Sequence, residues 1–253
     1  MGDVDDTTAP ASRMWNASYS EVTIREAQSK LGFGLGNLEA NTTPVKSMLD
    51  SRAKLLGEHA LKDTKLKVYE RIVEYLEVEG YFLDSEYSRI SDLVYSVTAA
   101  ILSDFKSKAE IPSLYLQRGK ETVSANFQTG GVQEFVVADL VSVIEDRSVL
   151  VIVEARRRGT SFGEAVKRCL LAMRDMRERN GGVGEVYGFV TAGDIWRMIR
   201  YGGSFEMTDT FSILFGRMAK DKQRWMKEFS ILVECMVMAL SHGGVVQRGM
   251  RVM

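Results

Sequence analysis

The sequence predicts an α/β protein in which a central mixed β-sheet is flanked by helices. Three observations carry this. Two adjacent stretches, "QEFVVADLVSVIE" (133–145) and "SVLVIVEAR" (148–156), are rich in the β-branched residues that favour strands. Apolar residues recur at helical spacing before them, in 90–105, and after them, in 162–176. Strands that alternate in this way with helical segments suit a layered sheet covered by helices.

The elements follow in order. Residues 1–55 are rich in Ser, Thr, Asn and Gly, lack sustained periodicity, and read as an N-terminal arm or extension. Within them "GFGLGN" (32–37) has the look of a phosphate loop. No strand precedes it and no clear helix opens from it, so it reads as a turn. The domain proper is 56–253. Tyr69, Ile72, Val73 and Leu76 mark a helix over 61–79, and "EGYFLDSE" breaks it. Ile90, Leu93, Val94, Val97, Ile101 and Phe105 mark a second helix over 86–105. "SLYLQRG" (113–119) and "ETVSANF" (121–127) form one bent strand or a hairpin, and the two β-branched stretches follow. Phe162, Ala165, Val166, Cys169, Leu170, Met173 and Met176 trace one helical face, with Ser161 as N-cap and Glu164 completing a capping box. "EVYGFVTAG" is a strand, and "IWRMIRYGGSFEMTD" is a hairpin turning at Gly202–Gly203. A last helix spans 218–241, its Trp225, Phe229, Val233 and Met236 facing the domain or a second copy.

The totals exclude some classes. A net charge of −1 gives no strong general attraction to nucleic acid. No apolar run is long enough to span a bilayer, and the acidic opening "MGDVDDTTAP" is unlike a secretory leader, so an intracellular protein is expected, in nucleus or cytoplasm. Cys169 and Cys235 have apolar neighbours and read as reduced core residues. His59 and His242 lack metal-ligand spacing. Positive charge is concentrated locally: Arg156, Arg157, Arg158, Lys167, Arg168, Arg174, Arg177 and Arg179 stand against Glu164, Asp175 and Glu178. Two readings are balanced here, a solvated helix face and a surface that meets phosphates.

Acidic residues inside the apolar stretches need a reason, because an unpaired buried charge costs several kcal/mol, on the order of the effective desolvation penalty. If Asp146–Arg147 is a two-residue hairpin turn, Asp139 and Glu154 stand directly opposite on one face, and Arg156 shares it. Two readings of that placement stand side by side. The carboxylates hold Mg²⁺ or Mn²⁺, or Arg156 neutralises them as a buried triad.

"VVADLVSVIEDRSVLVIVEARR" resembles the core of the PD-(D/E)XK nuclease superfamily, the restriction-endonuclease-like fold. The resemblance covers about 86–203 and extends to restriction-like domains of uncharacterised fungal proteins. It implies an αβββαβ core with extra N- and C-terminal helices. Asp139 matches the family's first metal-holding acid and Glu154 the acidic member of its second element, with Mg or Mn as cofactor. Family members often carry another acid on the first core helix, where Glu86 is a better match than Asp92. Arg156 stands where the family has Lys, and Lys167 is the candidate replacement. An Arg cannot act as a base at accessible pH.

The resemblance therefore implies a metal-dependent nuclease acting on DNA. Asp139, Glu154, Arg156 and Glu86 would be catalytic, and Arg157, Arg158, Lys167 and Arg168 would contact nucleic acid. The alternative is a catalytically degenerate nuclease fold that binds nucleic acid or protein, including the case of an effector. A homodimer is expected if both strands of a duplex are cut.

Overall fold

A computed structural model of the chain describes residues 15–51, 56–80, 87–140, 146–154 and 161–243. In chain order the elements are β1 (Ala17–Ser18), α1 (Ile24–Leu31), α2 (Leu35–Ala40), α3 (Val45–Asp50), α4 (Glu58–Glu79), α5 (Tyr87–Ala109), β2 (Leu114–Val123), β3 (Thr129–Leu140), β4 (Asp146–Glu154), α6 (Phe162–Arg179), β5 (Val186–Thr191), β6 (Ile195–Tyr201), β7 (Phe205–Met207), β8 (Phe211–Ser212), α7 (Lys222–Arg224) and α8 (Ile231–His242). They form an α/β structure around one mixed sheet with helices against it, the class that the sequence predicts.

β3 lies antiparallel to both β2 and β4, and β4 lies parallel to β5. A parallel pair needs a crossover, and α6 supplies it. β5, β6 and β7 then run antiparallel in succession. Of the two readings of 113–127, one bent strand or a hairpin, the structure has a single strand, β2, with Gly119 at φ 63 inside it.

Strand alternation divides the core. Phe135, Val137, Leu150, Ile152, Tyr187 and Phe189 bury themselves against α4, α5 and α8. Val136, Val186, Val190 and Ile199 face the other way, onto Val166, Cys169, Leu170 and Met173 of α6. A Cβ on Gly188 would lie 2.4 Å from Met173 Sδ and 2.5 Å from Cys169 Sγ, so α6 can approach β5 this closely only over a glycine. Burial pushes both cysteine thiols up from their ordinary range, which keeps them protonated core residues.

Residues 15–51 of the N-terminal segment form a packed extension. From residue 15 onward it docks on the domain. β1 pairs parallel with β3, Trp15 and Tyr19 are buried, and Met48 and Leu49 of α3 join the core under α8. The "GFGLGN" stretch joins α1 to α2, Gly32 closing α1 at φ 82. The clasp is polar at its centre: Tyr19 donates to Asp175 Oδ2 of α6 at 2.7 Å, and Lys30 lies 3.5 Å from Asp175 Oδ1. Burial holds the Asp175 carboxyl above its ordinary value of 3.8, although Tyr19 and Lys30 both pull it down. A carboxyl raised in the folded state binds its proton longer there than in the unfolded chain. Its contribution favours folding at low pH and declines as pH rises from the ordinary value through the folded one. Asp175→Asn is expected to flatten that decline, read as urea midpoints between about pH 4 and pH 7.

The last helix is not continuous. A 3₁₀ turn (Met218–Lys220), α7, a π turn (Trp225–Phe229) and α8 replace the single helix expected over 218–241. Trp225, Val233 and Met236 are all within the chain's own core. The apolar stripe that suggested a second copy is thus used inside the protein. Among the described residues no helix is long and apolar enough to cross a membrane.

Candidate functional site

The hairpin of β3 and β4 decides the site, and its register differs from the expected one. Phe135 faces Ile152 and Val137 faces Leu150; after a one-residue shift between Val137 and Ala138, Asp139 faces Arg147 and Leu140 faces Asp146. Asp146 and Arg147 are therefore strand residues, and 141–145 lie outside the described residues. The polar "EDRS" resembles a turn, but the ladder places opposite charges, Asp139 and Arg147, at facing positions.

The consequence is a correction. Glu154 lies seven positions beyond Arg147 on β4, so Asp139 and Glu154 are roughly 20 Å apart along the ladder at about 3.3 Å per residue. They cannot share one metal ion, whose oxygen ligands lie about 2.0–2.6 Å from it. Asp139 sits half-buried near the far end of the hairpin, opposite Leu114 of β2, and its buried Oδ1 has no hydrogen-bond partner among the described residues. The expected paired-acid Mg site does not fit these residues.

Continued by two residues from Phe135 and Ile152, the ladder sets Gln133 across from Glu154. The neighbouring ladders extend this into a row: Lys120 faces Gln133, Glu154 faces Thr191, and Thr191 faces Trp196. Gln133 is 1% exposed; among the described residues its Nε2 reaches Gly131 O at 3.4 Å and its Oε1 has no hydrogen-bond partner. Thr191 is fixed: its hydroxyl donates to Ile195 O and accepts from Gly193 N, closing the β5–β6 turn. Trp196 Nε1 donates to Gly193 O at 2.9 Å. Gly193, at φ 96, brings this turn up to Ile90 near the start of α5; its Cβ would be 3.3 Å from Ile90 Cγ2. The row therefore lies where β4 and β5 end, beneath the first turns of α5. Sequence reading missed Gln133. Its signal was position, since it stands two residues before Phe135 on the same strand face.

The remaining candidates separate clearly. Glu86, Arg156, Arg157 and Arg158 lie outside the described residues. Asp92 is described: its carboxylate lies 3.5 Å from Arg118, with 60% of the side chain exposed. Lys167 and Arg168 belong to the opposite face of the sheet. Lys167 is 3% exposed, donates to Val22 O in the N-terminal segment, and lies 2.7 Å from Glu164. Ser161 caps α6 through Glu164 N, as expected, while the Glu164 side chain is held beside Lys167. Arg168 pairs with Glu134 of β3 at 2.8 Å, with both side chains nearly buried. These two cations are spent on internal pairs. Farther along α6, Arg174 pairs with Glu178, while Arg177 donates to Gly184 O.

Tyr95 of α5 stacks on Phe135, and the Arg118 guanidinium sits 4.8 Å from the Tyr95 ring centre and 5.5 Å from that of Phe135. Arg118 faces Phe135 on the ladder, one row from Gln133. No family model matches the chain, and no curated protein matches its sequence.

Proposed function

We propose that this chain is a nucleic-acid-binding module on a nuclease-like sheet whose hydrolytic centre is degenerate. The element order supports the restriction-endonuclease-like reading: α5, then β2, β3 and β4, then α6 and β5. The observation that carries the degenerate reading is the register, which leaves Asp139 at one end of the hairpin, facing Arg147, and, extended two residues past its last pair, Phe135 and Ile152, sets an amide, Gln133, level with the Glu154 position at the other end. Arg156, in place of the family's Lys, points the same way, because a guanidinium supplies no base.

A cleavage assay with Mg²⁺ and Mn²⁺ on single- and double-stranded DNA, beside a binding assay with the same oligonucleotides, tests this. Binding without EDTA-sensitive cleavage is the expected result. EDTA-sensitive cleavage that disappears in Glu154→Ala would overturn the degenerate reading. Absence of binding to any nucleic acid would overturn the module itself.

A second reading, a working nuclease, is favoured by one observation. Among the described residues the Gln133 Oε1 atom is an acceptor without a partner, and divalent cations take amide oxygens as ligands. Gln133→Asp converts that position to a carboxylate facing the Glu154 position. Mn²⁺ affinity is then expected to rise roughly tenfold or more by titration calorimetry, because ligand charge sets affinity. An unchanged affinity would contradict the pairing of 133 with 154.

A further inference from the structure

We propose that Arg118, held in place by Tyr95 and Asp92, is a subsite for a phosphodiester group of the nucleic-acid strand that crosses the Gln133–Glu154 row; this deepens the binding reading above and rests on it. Arg118 offers five N–H donors in a planar fork. Among the described residues none of them is spent on a hydrogen bond: the one polar contact is the 3.5 Å ion pair to Asp92. The fork is nonetheless positioned. Tyr95 and Phe135 flank it, and Asp92 reaches it from α5.

Half of the side chain, 51%, is open to solvent. A guanidinium that is oriented but not consumed is suited to bidentate contact with two oxygens of a phosphate, and the planar fork loses less freedom on binding than a lysine would. Its place matters as much as its state. Arg118 lies on the same sheet face as the row, one ladder step from Lys120 and Gln133. By contrast, Lys167 and Arg168 on the other face are neutralised by the protein itself.

The test is fluorescence anisotropy of labelled single- and double-stranded 20-mers across a salt series. It compares the wild-type chain with Arg118→Ala, Arg118→Lys, Tyr95→Leu, and Arg71→Ala as a control on the outer helix α4. Arg118→Ala is expected to weaken binding about tenfold and to reduce the salt slope by about one. Arg118→Lys keeps the slope but recovers only part of the affinity, because charge remains and the fork is lost. Tyr95→Leu weakens binding in the wild-type background and adds little to Arg118→Ala, since it acts through the arginine. Arg71→Ala changes neither quantity. Thermal midpoints show that each variant is folded. Wild-type binding that is unchanged by Arg118→Ala would overturn this inference alone. Absence of wild-type binding would overturn both it and the function it rests on.

Discussion

Arg168→Ala will lower the unfolding free energy by about 3–5 kcal/mol, the cost typical of breaking a buried ion pair from one side. The pair is Arg168 Nη2 to Glu134 Oε1 at 2.8 Å, with side chains 11% and 5% exposed. It joins α6 to β3 across the layer. Among the described residues Glu134 Oε2 already lacks a hydrogen-bond partner, so removing the guanidinium strands the whole carboxylate in the interior. Replacing both residues together, Arg168→Met with Glu134→Met, should recover most of the loss, because the uncompensated charge leaves with its partner. Urea unfolding of the two variants measures this. On the sequence reading Arg168 contacts nucleic acid, which predicts a different outcome: normal stability and weakened binding. That pattern would contradict the structure's placement of the side chain.

Trp225→Ala will cost about 3–5 kcal/mol as well, through a cavity rather than a charge. Trp225 is 1% exposed, its ring lies 5.5 Å from Tyr69, and its indole donates to Ile213 O at 2.8 Å. Tyr69 in turn donates to Met218 O, so the tryptophan ties the start of the C-terminal segment to α4. Its loss removes a large apolar surface and leaves the Ile213 carbonyl without this donor. The melting temperature should fall by several degrees or more, and the protein should stay monomeric if the stripe serves only its own core. A Trp225→Ala variant of unchanged stability that loses self-association would instead restore the second-copy reading.

What the sequence made legible was the identity and order of the main elements. β-branched runs and 3.6-residue stripes identify strands and helices locally, so α4, α5, β3, β4, α6, β5 and the β6–β7 hairpin at Gly202–Gly203 were all accessible. Register was not. It depends on where the chain turns, and the apolar 141–145 resembles strand while the polar Asp146–Arg147 resembles a turn. The structure puts Asp146 and Arg147 in β4, and the shift at Val137/Ala138 moves the pairing by one more residue.

Docking of the N-terminal segment was equally hidden, because its contacts are made across the chain. Gly130 and Gly131 accept it: a Cβ on either would come within 2.7 Å of Trp15 or 2.8 Å of Tyr19. Two aromatic residues in a polar stretch, and a Gly–Gly pair inside a strand, were the available signals. For the site, strand alternation puts Glu134 on the face away from Phe135, where it meets Arg168. The same rule could have identified Gln133 once the turn was placed correctly.

Disulfide trapping tests the register most directly. Two double variants are compared under oxidising conditions, Gln133→Cys with Glu154→Cys and Asp139→Cys with Glu154→Cys. The native cysteines, both fully buried, do not compete. Bridging requires Cα atoms within about 7 Å. The account predicts that the 133–154 pair closes and the 139–154 pair stays reduced. Closure of 139–154 in the folded protein would contradict it and restore the two acids to a single site.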